Sequence, residues 1–94
     1  SANTASPTLV CAQAANDLLN IKGIKASFVL TVYNNLIYIS ARSMDEVNVQ
    51  TIMEKLGGGG HRSVAGAQIK EGSINDAKNR VKQVLKELIE RGEL

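Results

Sequence analysis

Positions 57–60 are four consecutive glycines, and the only histidine of the chain, His61, follows directly. No other feature narrows the possible folds as much. Glycine loses more backbone entropy on folding than any other residue, so four in a row are costly to order. The run follows an apolar-periodic segment that ends at Leu56, where a helix stop would need one glycine. The surplus suggests a loop whose backbone comes close to something. A phosphate is the leading candidate, because bare N–H groups in such a turn form an anion-binding concavity. His61 would then sit at its rim.

Ninety-four residues allow one small domain and not two. The hydrophobic fraction is 44% but aromatics are only 3%, so aliphatic residues must build a modest core. No apolar stretch approaches the roughly 20 residues of a membrane span. No secretory leader is expected from the polar N-terminus. Cys11 is the single cysteine, which permits no internal disulfide and fits a reducing compartment. The net charge of +2 argues against a bulk electrostatic binder of duplex nucleic acid. An anion bound here would be held at a local site.

Residues 1–6 are small and polar and read as a linker or expression remnant, with the domain running over 7–94. Ser6 and Pro7 read as an N-cap and a first-turn proline. A helix over about 7–20 would place Leu9, Ala12 and Leu19 on one face, with Gly23 ending the segment. Ala26, Phe28, Leu30 and Val32 then alternate as one apolar face of a strand. Asn34 and Asn35 suit a two-residue hairpin turn, since asparagine tolerates positive φ. A second strand follows from Leu36 to about Arg42, with Ile37, Ile39 and Ala41 on one side and Leu36, Tyr38 and Ser40 on the other. A helix over about 48–56 gathers Val49, Ile52, Met53 and Leu56, with Asn48 as its N-cap. Ala65, Ala67 and Ile69 alternate in a short third strand over 65–70. Ser73 with Asp76 forms a capping-box signal. The last helix, about 74–91, carries Ile74, Ala77, Val81, Val84, Leu85 and Leu88 on one stripe and a charged opposite face. The order α-β-β-α-β-α predicts an α/β fold with about three helices. A hairpin plus a crossover strand predicts a small mixed β-sheet.

The glycine run matches neither familiar phosphate loop. No Lys-Ser or Lys-Thr follows it, as a P-loop requires. It does not join a first strand to a helix N-terminus, as a dinucleotide fingerprint requires. What remains is a glycine-rich turn with His61 and Arg62 beside it. An imidazole can donate a hydrogen bond to phosphate, which suits His61 better than a general base or a metal ligand. Arg42 and Ser43 end the second strand, where the glycine loop can fold back beside them. Arg42 can pair bidentately with a phosphate; a solvated strand-end charge is its bland alternative. Tyr33 and Tyr38 fit sheet packing better than a base-stacking platform. Asp17, Asp45 and Asp76 lie in separate elements, so no carboxylate pair or two-metal site assembles. No catalytic or metal-ligating residue and no cofactor is expected in this chain.

In Ile39-Ser-Ala-Arg-Ser43, Gly57-Gly-Gly-Gly-His61 and Val64-Ala-Gly-Ala67, the sequence resembles the C-terminal, DHH-associated domain of the DHH phosphoesterase superfamily. The resemblance covers about residues 8–90. The segment 48–56 leading into the glycines is most similar to the membrane-anchored cyclic-di-AMP phosphodiesterases of Gram-positive bacteria, the GdpP/YybT type. The resemblance implies a division of labour. A separate DHH domain holds two manganese ions (Mn2+) that activate water, and the DHH-associated domain grips the substrate. Carried over, the grip falls to Gly57, Gly58, Gly59, Gly60, His61 and Arg42, with Ser43 a weaker candidate. The implied partners are a cyclic dinucleotide or nucleotide phosphate and the DHH catalytic domain of the same protein. The implied location is a cytoplasmic domain of a membrane-anchored protein, itself without membrane contact. Alternatives from other classes are a single-stranded nucleic-acid module of an exonuclease or oligoribonuclease, and a purely structural or dimerising domain.

Overall fold

The computed structural model describes residues 7–44 and 46–93, except the side chains of Pro7, Thr8 and Leu19. Three helices and four strands follow in the order α1 (Pro7–Leu19), β1 (Ala26–Tyr33), β2 (Leu36–Ser43), α2 (Val49–Lys55), β3 (Gly59–Gly60), β4 (Val64–Ile69) and α3 (Ile74–Glu90). The expected linker over 1–6 and the N-cap Ser6 lie outside the described residues.

Local chemistry accounts for most boundaries. Asn34 and Asn35 both take positive φ, 53° and 62°, and close the β1–β2 hairpin. The Asn48 side chain caps α2 by accepting from the Gln50 and Thr51 amides. Ser73 and Asp76 form the reciprocal capping box that starts α3.

The sheet order is β1-β2-β4-β3, and every pairing is antiparallel. A crossover after β2 had suggested a mixed sheet. The difference arises from the glycine run, which itself forms the extra strand β3. The chain leaves β2, turns back through α2 and returns along the sheet edge as β3. β3 therefore runs in the same direction as β2, but β4 inserts between them and is antiparallel to both.

The core lies on one face of the sheet. Ile37, Ile39 and Ala41 from β2 and Ala65, Ala67 and Ile69 from β4 meet Val49, Ile52, Met53 and Leu56, and Ala77, Val81, Val84 and Leu88 from α3. Ala26, Phe28, Leu30 and Leu85 pack at its margin. Val32 and Ile74 were expected in this face but are exposed, each near the end of its element.

α1 lies on the opposite face and approaches through small residues. Cys11 and Ala15, one turn apart, are its buried positions among the described side chains. The Cys11 thiol donates to the Val29 carbonyl at 2.9 Å, and the Ser27 hydroxyl donates to the Ala15 carbonyl at 2.7 Å. Leu9, expected in the core face, is 50% exposed because the helix turns its smaller side chains inward. Among the described residues no buried side-chain polar atom lacks a partner, and no helix is long and apolar enough to cross a membrane.

Ile52 is fully buried at the centre of this core, whereas Ile89 is 62% exposed. Ile52→Ala is expected to lower unfolding stability by about 2–5 kcal/mol in a denaturant titration. Ile89→Ala should stay within about 0.5 kcal/mol of the parent.

Candidate functional site

The four glycines do four different things. Gly57 ends α2 with φ +86°. Its amide donates to the Glu54 carbonyl and that of Gly58 to the Met53 carbonyl, a Schellman closure. Gly58 and Gly60 then press against β4. A Cβ on Gly58 would stand 2.1 Å from the Gly66 carbonyl oxygen, and one on Gly60 would stand 2.5 Å from Ala65 Cα. Gly60 also adopts φ +144°. These three are spent on the fold. Gly59 is not: a Cβ there would meet nothing within 4 Å. Half of the run expected to be a loop is thus an edge strand; Gly57 and Gly59 both face open space, but positive φ holds Gly57 to glycine, so only Gly59 is free of both constraints.

The register says where that space lies. Gly59 pairs with Gly66, and Gly66 pairs with Ser40. Directly paired residues share a face, and Ala65 and Ala67 on either side of Gly66 are buried in the core. Ser40, Gly66 and Gly59 therefore form one row across three strands on the face away from the core. Two of the three have no side chain, so the row is a shallow trough of bare backbone.

His61 begins the turn that follows β3. Its amide donates to the Val64 carbonyl at 2.7 Å. The next two carbonyls are also held. Arg62 O accepts from the Val49 amide at 2.9 Å, and Ser63 O accepts from the Ser43 amide at 3.1 Å. The backbone around His61 is thus braced against both β2 and α2. The imidazole itself is exposed and makes no hydrogen bond with a described residue.

Arg42 and Ser43 are adjacent in sequence but lie on opposite faces of β2, as the two-residue period of a strand requires. Arg42 is on the trough face. Its Nε donates to Asn16 Oδ1 of α1 and its Nη1 to the Ala41 carbonyl, both at 2.9 Å. Nη2 makes no hydrogen bond to a described residue. Ser43 is buried on the core face. Its hydroxyl donates to the Val47 carbonyl at 2.6 Å, with Arg62 O at 3.3 Å. It helps hold the His61 turn rather than offering a group to solvent.

A groove of about 540 Å³ lies along the trough, lined by Tyr38, Ser40, Gly57, Gly58, Gly66, Gln68 and Lys70. Sequence reasoning singled out Gly57 and Gly58 of its three glycines but missed Ser40, Gln68 and Lys70 and read Tyr38 as packing. The signal was the alternation itself: all four alternate with core residues and so share the free face. Among the described residues no group of three His, Cys, Asp or Glu side chains gathers as a metal site.

This architecture matches a described family: the DHHA1 domain model fits residues 5–87, and the chain belongs to that family. It is 51% identical over 75 residues to the cyclic-di-AMP phosphodiesterase PdeA of Listeria monocytogenes, which covers 79% of this chain and 11% of that protein. It is 38% identical over 91 residues to the cyclic-di-AMP phosphodiesterase GdpP of Geobacillus thermodenitrificans, covering 96% of this chain and 14% of that protein. A membrane protein–large ribosomal subunit bL9 fusion protein of Aster yellows witches'-broom phytoplasma is 43% identical over 83 residues, 87% of this chain and 10% of its own length. The chain thus spans about a tenth to a seventh of these relatives.

The separate tasks of the glycines can be checked by stability alone. Gly58→Ala forces β3 away from β4 and should cost at least the roughly 1–3 kcal/mol of an overpacked site. Gly59→Ala should leave stability unchanged or raise it by about 0.4–1 kcal/mol, because its backbone is ordinary and its surroundings are open. Denaturant unfolding of both variants reads the contrast directly.

Proposed function

We propose that this chain is the substrate-gripping domain of a phosphodiesterase that hydrolyses cyclic-di-AMP to the linear dinucleotide. The observation that carries the reading is Gly59. It is the one glycine of the run that the fold does not require, and it opens onto the free face next to a braced histidine turn. The curated names of the relatives supply the substrate class.

The chain's own residues would work as follows. The bare backbone at Gly59 lets a phosphate approach the sheet edge without meeting a side chain. His61 donates a hydrogen bond to a non-bridging phosphate oxygen from a turn that needs no further ordering. Arg42, held at Nε and Nη1 by Asn16 and Ala41, turns its remaining nitrogen towards the same anion. These groups bind and orient; none is placed to attack phosphorus. That chemistry would belong to a partner DHH domain whose two manganese ions activate the attacking water. The described residues of this chain gather no ligand set for those ions. The partner domain and, through it, a membrane-anchored setting belong to the same proposal.

The test is made in a protein that joins this domain to its DHH domain. His61→Ala should reduce cyclic-di-AMP turnover by about tenfold or more, the rate equivalent of one lost charge-assisted hydrogen bond. Gly59→Val should reduce it similarly, with both variants unfolding at the parent's denaturant midpoint. Unchanged turnover in both sinks the phosphate role. Strong binding of short single-stranded oligonucleotides with no cyclic-dinucleotide hydrolysis would move the chain to the exonuclease branch instead.

A further inference from the structure

The groove holds more polar groups than a phosphate grip uses. Tyr38 and Gln68 are direct cross-strand partners on β2 and β4, and both line the groove. Their Cβ atoms are therefore about 4.5–5.5 Å apart on one face, so the ring and the amide act on the same volume. Tyr38 is half-buried, which steadies its ring. Gln68 is exposed, and its amide makes no hydrogen bond with any described residue. Gln50 and Gln83 each donate to a glutamate four residues on, both at 3.1 Å, whereas Gln13, out on α1, is uncommitted like Gln68 but does not line this groove. An aromatic ring and an uncommitted primary amide, side by side in a concave site, are the elements of base recognition.

We propose that Tyr38 and Gln68 form a nucleobase subsite that takes adenine, a step that rests on the nucleotide reading given above. Tyr38 offers its ring as a stacking surface, which any base can use. Gln68 supplies selectivity. Its amide sets an N–H donor and a carbonyl acceptor side by side on one carbon. Adenine presents N7 as an acceptor and N6 as a donor along its major-groove edge, so both halves of the amide are satisfied. Guanine presents two acceptors there, N7 and O6, and sets the amide oxygen against a like group. The spacing agrees with a single bound nucleotide. The Tyr38–Gln68 row lies two residues along the strands from the Ser40–Gly66–Gly59 row, about 6–7 Å at the rise of a β-strand. Gly59 also lies one strand across from Gln68, about 5 Å sideways, so the ribose and phosphate of one nucleotide span the diagonal from a base over Tyr38 and Gln68 to Gly59.

The chain, labelled with 15N, is titrated with AMP, GMP, ribose 5-phosphate and adenosine. AMP is expected to shift the Gln68 side-chain amide and the Tyr38 backbone together with Gly59 and His61. Ribose 5-phosphate should shift only the last two. AMP should bind about tenfold more tightly than GMP, at the scale of one bidentate amide–base pair. Gln68→Ala should erase that preference, and its exposed position leaves the fold intact. Tyr38→Phe should keep AMP binding, whereas Tyr38→Ala should weaken it about tenfold. If AMP and ribose 5-phosphate give the same shifts with Tyr38 and Gln68 silent, the base subsite is wrong and the phosphate grip stands. If adenosine shifts Tyr38 and Gln68 while ribose 5-phosphate shifts nothing, the base subsite stands and the phosphate reading falls. Equal affinity for AMP and GMP overturns the adenine assignment, as does an AMP titration with no shifts at all.

Discussion

The close approach of the glycine run to β4 is the contact on which the rest of this domain depends. Gly58 and Gly60 bring backbone against backbone at separations that no side chain permits. Because they do, the run pairs as an edge strand, and β4 is held between β2 and that strand. The central position of β4 delivers Ala65, Ala67 and Ile69 to the core beneath α2 and α3. The same pairing ends in the turn that carries His61. A single steric requirement thus connects the packing of the core to the placement of the candidate anion ligand.

The two faces of the sheet divide the polar chemistry. Where α1 covers the outer face, the polar groups beneath it are committed. The Ser27 hydroxyl is tied to α1, and so is the Arg42 Nε. Ser43, on the core face, is committed to the loop before α2. Over β4 and the glycine edge the polar groups are uncommitted, with Gln68 and Lys70 making no ion pair or hydrogen bond to a described residue. Unpaired donors and acceptors at a concave surface keep their full capacity for a ligand, since only water must be displaced. Small residues in α1 matter here too. With Cys11 and Ala15 inward, α1 sits close over β1 and β2.

Much of this was legible in the sequence. The period-two patterns of β2 and β4 and the caps at Asn48 and Ser73 are local signals, and local geometry obeyed them. The family followed from the glycine–histidine motif, and the match over residues 5–87 agrees with it. What was illegible depended on partners distant in the chain. A two-residue strand of glycines has no side-chain pattern, so nothing in it announces β3; only the facing backbone of β4 makes it a strand. The inward face of α1 could not be chosen from apolarity, because packing at close range favoured Cys11 and Ala15 over the bulkier Leu9. The separation of Arg42 from Ser43 was within reach, since alternation alone places them on opposite faces. The groove residues were written in the same alternation, but a polar residue on a strand normally faces water and signals nothing until a concavity is seen around it.

The strand pairing of the glycine run also alters what such a run can contribute to binding. Ordering one residue's backbone costs about 1–2 kcal/mol, and glycine lies at the high end. A free four-glycine loop that closed on a ligand would take roughly 4–8 kcal/mol from the binding energy, more than the about 1.5–3 kcal/mol of one charge-assisted hydrogen bond. Here the cost is met during folding, by the Schellman closure at Gly57 and Gly58, the pairing of Gly59 and Gly60 with β4, and the bonds that fix Arg62 and Ser63. His61 is then presented on a turn that needs no ordering when an anion arrives. Preorganisation of this kind would leave the interaction energy available for orienting the proposed phosphate ligand. In the proposed division of labour such a domain would affect rate in just that way, by holding the substrate where another domain acts. The glycines therefore serve the candidate site less as a flexible cradle than as a rigid edge with one open position.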